Sequence, residues 1–244
     1  MLSDKAVKRT IRLLLLLALS LLQTQCNSQK SGDETYTYKT GDWNGIGKWY
    51  MGREIARVMG YQGMSWLERP EREEEERTSL LLKNMNIQPG DTIADIGAGS
   101  GYHVFRMAKL AQDGLIYAVD IQEEMLAEIR RKMEANGVGN IKPVKGSEKS
   151  VNLPENSVDK VLIVDVYHEI GFPKELMASL YKAMRSDAKL FLIEYRAEDP
   201  LVPIKKIHKM SEAQAVREMK AAGLKLEQNI GNLPWQHCMV FVKE

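Results

Sequence analysis

The stretch Ile93-Ala94-Asp95-Ile96-Gly97-Ala98-Gly99-Ser100-Gly101-Tyr102-His103 limits this chain more than any other. Pro89-Gly90-Asp91 punctuates the chain, Thr92 to Ile96 reads as a short buried strand, and Tyr102 to Leu110 carries apolar residues at helical spacing. A strand, a glycine turn and a helix bring ligand atoms against bare backbone and aim helix N–H groups at an anion. The spacing is G-x-G-x-G. A dinucleotide fingerprint would be G-x-G-x-x-G, and here Tyr102 stands at its third glycine.

After this turn, strand and helix patterns alternate, which is the signature of a parallel sheet. Leu115 to Val119 is apolar and ends at Asp120. Glu123 to Asn136 has a helical stripe of Met125, Leu126, Ile129 and Met133, with Gly137 placed to cap it. Ile141 to Val144 is a weaker strand, and the β-branched run Val158 to Val164 reads as a central one. Pro173 opens a helix, Leu190 to Ile193 is a fifth strand, and Ser211 to Gln214 has capping-box spacing. Leu224 to Gln228 and Cys238 to Val242 complete the set. The expected fold class is α/β: a Rossmann-like, seven-stranded, mostly parallel sheet with helices on both faces.

The first 88 residues read differently. Lys5, Lys8, Arg9 and Arg12 precede an apolar run over 13–22, too short to span a bilayer comfortably, and Cys26 follows. The segment resembles a bacterial lipoprotein signal. That resemblance implies lipidation of Cys26, anchoring in a membrane and a place in the cell envelope; a cytoplasmic location follows instead if translation starts further on. Residues 1–25 read as a signal or anchor, 26–48 as a polar tether and 49–88 as a helical cap ahead of the main domain at 89–244. Within the cap, Trp49 to Met59 has a helical pattern, and Glu73 and Arg77 stand at a favourable i,i+4 spacing. The charged run Glu71 to Arg77 is either a solvated helix face or part of a cover over a ligand, with Trp66 and Arg69 near the pocket. The formal charge of +1 becomes −2 without residues 1–25, so no nucleic-acid partner is expected. Cys238 is the only cysteine besides Cys26 and lies in an apolar run, which excludes a disulfide framework and favours a buried thiol.

The glycine motif behind an acidic residue, with an acidic residue closing the next strand, resembles the class I S-adenosylmethionine-dependent methyltransferases over residues 89–244. The resemblance implies S-adenosyl-L-methionine as cofactor and a final strand inserted antiparallel. Asp95, Gly97, Ala98, Gly99 and Gly101 would hold the methionine part, with backbone N–H groups at the glycines reaching its carboxylate. Asp120 would take the ribose diol, and Ile121 would pack on adenine, with Ser147 or Glu148 near its amino group. Asp120 also reads as a simple helix N-cap. Asp165 completes the cofactor set at the end of the fourth strand.

Tyr167-His168-Glu169 at that same strand end is where the family keeps substrate-facing residues. His168 is the candidate general base, with Glu169 or Glu194 to orient it; the alternative is a histidine that only bonds backbone beside the cofactor. Trp66, Tyr195 and Trp235 are candidate apolar walls, and His208 and His237 candidate substrate contacts. All four histidines (His103, His168, His208 and His237) are expected at one edge of the sheet, as an acid/base pair or a metal-assisted site. No His/Cys pair stands at short metal-ligand spacing, so no metal is assigned. The expected activity is methyl transfer to a hydroxyl or other heteroatom of a small molecule. Pro89 to Ile121 also looks like the protein-L-isoaspartate O-methyltransferases, although their Thr/Ser-rich signature is replaced here by Trp-Leu-Glu-Arg-Pro and glutamates. A non-catalytic cofactor-binding module of the envelope is the reading from a different class.

Overall fold

The main sheet has the strand order β6-β5-β4-β7-β8-β10-β9. In chain order these strands are β4 (Thr92–Ile96), β5 (Leu115–Asp120), β6 (Ile141–Lys145), β7 (Val158–Val164), β8 (Met184–Tyr195), β9 (Leu224–Asn229) and β10 (Gln236–Lys243). The pairs β4–β5, β4–β7, β5–β6 and β7–β8 are parallel, whereas β10 runs antiparallel to both neighbours. The antiparallel insertion brings the start of β10 beside the end of β8, with Gln236 opposite Tyr195 and His237 opposite Glu194. This structure is a computed structural model, and it describes residues 35–244. The basic segment, the apolar run and Cys26 lie outside the described residues. Among the described residues, no helix is long and apolar enough to cross a membrane.

Alternation along each strand divides the core into two layers. Ala94, Ile96, Val161, Ile163, Leu190 and Leu192 face one side. There they meet Leu176, Met177 and Leu180 of α6 (Pro173–Ala183) and Ala215 and Met219 of α7 (Glu212–Ala221). Ile93, Leu162, Val164, Phe191 and Ile193 face the other side. They are covered by α3 (Thr78–Met85), α4 (Val104–Leu110) and α5 (Glu123–Asn136). The helix limits follow local chemistry. Ser211 Oγ accepts from Gln214 N at 3.2 Å at the start of α7. Gly137 ends α5 in the left-handed conformation, φ 63°. Cys238 is fully buried, as its apolar neighbourhood suggests, and burial pushes its thiol up to about 11.

The region ahead of β4 departs from the expected tether and helical cap. β1 (Tyr36–Tyr38), β2 (Gly45–Tyr50) and β3 (Arg53–Ala56) form a three-stranded antiparallel sheet, with two of its strands inside 49–59 or overlapping it. Met51 and Gly52, both at positive φ, make a two-residue hairpin turn that propagates pairing of Tyr50 with Arg53. Of the apolar residues that suggest a helix, Tyr50 and Ile55 are buried positions of the hairpin, while Met59 and the exposed Val58 belong to the loop after it. Among the described residues, the first helical turn is a 3₁₀ segment at Tyr61–Gly63, followed by α1 (Met64–Leu67) and α2 (Arg72–Glu76). The small sheet packs on the main domain through Arg53, whose Nε and Nη2 donate to Glu218 at 2.8 and 2.9 Å. Tyr36 Oη donates to Glu175 at 2.5 Å. Residues 36–244 form one unit.

Candidate active site

The carboxyl ends of β4, β5, β7 and β8 open into a cavity of about 740 Å³. Asp95, Gly97, Ala98, Gly99, Asp120, Ile121, Ser147, Glu148 and Asp165 all line it, together with Trp66, His168, Glu169, Tyr195 and His208. The glycine turn is built by conformation and close approach. Gly97 has φ 73°, and a Cβ on it would stand 2.6 Å from Val166 Cγ1. Gly101 has φ 84° but does not line the cavity; a Cβ there would press on Phe105 and Ile129. Its place in the motif is therefore helix packing rather than ligand contact.

The expectation that the glycine N–H groups reach a carboxylate is corrected by their partners. Gly97 N donates to Val119 O at 2.9 Å, Gly99 N to Asp120 Oδ2 at 2.9 Å, and Gly101 N to Ala98 O at 2.9 Å. Asp120 also accepts from Gln122 N at 2.8 Å. Each carboxylate oxygen carries a second lone pair, so Asp120 can still receive a diol while it holds the glycine turn. Burial raises its pKa against the pull of those backbone donors.

Beside this cradle lies a group of buried polar side chains. Asp95 Oδ2, His103 Nε2 and Asp165 Oδ1 are buried and have no hydrogen-bond partner among the described residues. Burial pushes Asp95 up to about 7, with Asp120 adding to the rise and Arg72 opposing it. Asp165 is held well above the usual carboxylate range, first by burial and then by Glu76 and Glu194. It also adopts φ 52°, rare outside glycine, while Gln236 Nε2 donates to its Oδ2 at 2.6 Å. His103 is kept neutral by burial and by Arg72 and Arg106. Two acids, each with one buried oxygen left without a partner, and an arginine at one cavity wall suit a ligand that carries both an ammonium and a carboxylate. The amino-acid part of S-adenosylmethionine is such a ligand, and Asp120 with Ile121 suits its nucleoside part. The donor set therefore fits that cofactor.

At the other end of the cavity the fourth strand turns into a short 3₁₀ segment, Tyr167–Glu169, which presents His168 and Glu169. His168 Nδ1 lies 2.6 Å from Oε2 of the fully buried Glu194, and its Nε2 lies 3.1 Å from His208 Nδ1. Both ring nitrogens of His168 are thus engaged. His208, which also lines the cavity, comes from a second 3₁₀ segment, Lys206–His208. Burial, followed by the neighbouring His168, lowers His208 to about 4. Glu169 Oε2 accepts from Met59 N at 3.1 Å, and burial raises its pKa. Arg53 Nη1 donates to His168 O at 3.1 Å, so the small sheet steadies this end of the site.

Three expected contacts fall elsewhere. Tyr167 is fully buried and does not line the cavity; its ring lies under the Arg53 guanidinium, 5.5 Å from the ring centre. In a 3₁₀ turn neighbouring side chains diverge, and the apolar core takes this one. His237 is at the same sheet edge, as the antiparallel β10 requires, but lies outside the cavity. Its Nδ1 meets Asn229 Nδ2 at 3.0 Å and its Nε2 meets Glu198 at 2.9 Å. Trp235 is also outside the lining. Tyr195 does form a wall, with its hydroxyl donating to Glu76 at 3.2 Å.

The acidic helix contributes in an unexpected way. Its buried pair is Arg72 with Glu76, 2.6 Å apart, and Arg72 lines the cavity. Arg69 stacks on Trp66 at 3.7 Å and bonds Glu75 and Glu76, outside the lining. Glu73 serves Ser79 rather than Arg77. The Arg72–Glu76 spacing was visible in the sequence, but nothing local distinguishes it from Glu73–Arg77.

Comparison with known proteins agrees with this geometry. The family model described as a methyltransferase domain matches residues 87–237. An uncharacterized methyltransferase of Bacillus subtilis, YdaC, is 28% identical over 142 residues, which is 58% of this chain and 76% of that protein. A protein-L-isoaspartate O-methyltransferase of Methanococcoides burtonii is 34% identical over 97 residues, covering 39% of this chain and 47% of that one. The solved structure of a SAM-dependent methyltransferase from Aquifex aeolicus superposes with a TM-score of 0.72 at 23% identity, covering 77% of this chain and all of that one. The matched region, the sheet order and the fit of the cavity to the cofactor lead to one assignment: this chain belongs to the methyltransferase-domain family, and it is a class I S-adenosylmethionine-dependent methyltransferase.

Proposed function

We propose that the chain methylates an oxygen or other heteroatom of a small molecule held against His168, Glu169 and His208. The observation that carries this reading is the continuity of one cavity from the Asp120 cradle to the Glu194–His168–His208 chain. The cofactor supplies an electrophilic methyl group on a sulfonium, so the protein's task is to orient the acceptor, exclude water and make the acceptor atom nucleophilic. Asp95 and Asp165 would take the cofactor's ammonium, and Arg72 with His103 its carboxylate. Asp120 would hold the ribose, with Ile121, Ser147 and Glu148 around the base. Trp66 and Tyr195 wall the acceptor space, while the imidazole pair activates the acceptor, with His168 fixed by Glu194 and His208 facing the cavity. Enclosure by α1, the loop around Met59 and the small sheet favours a small acceptor over a protein chain.

The test is methyl transfer from labelled cofactor to low-molecular-weight fractions of a cell extract, with the His208→Ala protein as comparator. Label that enters only protein would contradict the reading. It would favour a carboxyl acceptor on a peptide, which the likeness to the isoaspartate enzyme supports, and an isoaspartyl peptide would then be the substrate to supply. Attachment to a membrane through Cys26 is a separate proposal that rests on the sequence. Cys26→Ser should move the protein to the soluble fraction, and unchanged fractionation would count against it.

A further inference from the structure

Three side chains at the acceptor end converge on one point. His168 Nε2 and His208 Nδ1 are 3.1 Å apart. Glu169 Oε1 stands 3.9 Å from the first and 3.7 Å from the second. A point equidistant from three atoms so spaced lies about 2.1 Å from each, within the bond lengths of a divalent zinc-type cation to imidazole and carboxylate. The far side of two of the ligands is already fixed. Glu194 holds His168 Nδ1, which leaves Nε2, now bonded only to His208, as its ligand atom, and the Met59 amide holds Glu169 Oε2, which leaves Oε1. A carboxylate behind a ligating imidazole is the arrangement that orients metal-bound histidine and raises its donor strength.

We infer that His168, Glu169 and His208 form a binding site for one divalent first-row transition cation, with its open positions facing the acceptor. The inference deepens the proposed function and rests on it: the cation would hold the acceptor oxygen. Two imidazoles and one carboxylate favour zinc, manganese, iron, cobalt or nickel over magnesium and calcium, which prefer an all-oxygen shell. Three protein ligands rather than four leave room for a substrate atom, as in catalytic rather than structural sites. All three residues line the cavity, so a cation there would be reached from the acceptor side.

The test uses the full chain stripped with a chelator and then titrated separately with zinc, cobalt and magnesium. The expected result is one equivalent of zinc or cobalt bound, a rise in melting temperature that saturates with metal, and visible absorption from the cobalt-loaded protein. His208→Ala and Glu169→Gln should each weaken metal binding at least tenfold. His208 is part-exposed, so its replacement leaves the core intact, and Glu169→Gln keeps the shape of the side chain. Cofactor affinity, measured by calorimetry on the same samples, should stay within about threefold of the wild type. Failure of the wild type to bind zinc or cobalt, or binding by both variants as tight as the wild type's, overturns the inference. If cofactor still binds and methyl transfer survives the chelator, the metal site falls while the proposed function stands, with activation passing to the His208–His168–Glu194 hydrogen bonds. Loss of cofactor binding in the wild type would instead strike the proposed function.

Discussion

The ends of β4 and β5 and the ends of β7 and β8 serve the same cavity but are made in different ways. The first pair builds its surface from one short stretch and one residue beyond it. Gly97, Gly99 and Asp120 interlock through backbone bonds, and the same carboxylate that faces the ligand holds the turn that approaches it. The second pair assembles side chains from distant parts of the chain. Glu194 is 26 residues from His168, His208 is 40 residues from it, and Arg53 reaches the His168 carbonyl across 115 residues. A ligand shared by a whole family can be met by a compact backbone device. In the proposed function, an acceptor particular to this enzyme would be met by side chains that loops and an added sheet bring together.

Several measurements sharpen or break that contrast. The largest expected effect is on turnover at the β7–β8 end. His208→Ala and His168→Ala should lower kcat by about 10²–10⁴-fold, the usual loss when an activating group is removed. His168→Ala also strands the buried Glu194, so its melting temperature should fall as well. A loss of less than threefold in both variants would show that activation lies elsewhere.

The next effect is a stability change at the β4 end. Asp95 titrates near 7 in the fold and near 3.8 when unfolded, because burial disfavours its charge. Its contribution to stability is full below about pH 4 and lost as pH rises towards about 7. Without cofactor, Asp95→Asn should therefore be more stable than the wild type above pH 7, by something on the order of 2–4 kcal/mol. It should also flatten the pH dependence of the melting temperature between those limits. Identical pH profiles would show that Asp95 is not buried as a lone acid. Gly97→Ala comes next: the positive φ and the approach of Val166 should cost about 1–3 kcal/mol and weaken cofactor binding. The smallest effect is expected at His237. Held by Asn229 and Glu198 outside the cavity, it should tolerate Ala with kcat and KM within about threefold, since no polar contact to ligand is lost.

The contrast also explains how far the sequence could be read. The strands and helices of the main sheet follow hydrophobic period and cap chemistry, so β4, β7 and α5 appear where those signals place them. The glycine turn after β4 and the acidic end of β5 were legible as local structure because their signal is local. The N-terminal sheet was not. Its apolar positions also fit a helix, and what holds it as a sheet is Arg53 against Glu218 and Tyr36 against Glu175, more than 130 residues away. For the same reason Tyr167 and His168, adjacent in sequence, diverge into core and cavity. Placement at a strand end gives the edge at which a side chain lies. It does not give the direction of that side chain, which is why His237 reaches the edge without reaching the site.

Cofactor affinity of two variants, measured side by side by calorimetry, tests the division of labour most directly. Asp120→Ala should weaken S-adenosylmethionine binding by about 1.5–3 kcal/mol, or roughly ten- to hundredfold, through loss of a charged hydrogen-bond acceptor and loosening of the glycine turn. His208→Ala should bind the cofactor within about threefold of the wild type. Equal losses in both variants, or undisturbed binding by Asp120→Ala, would contradict the account.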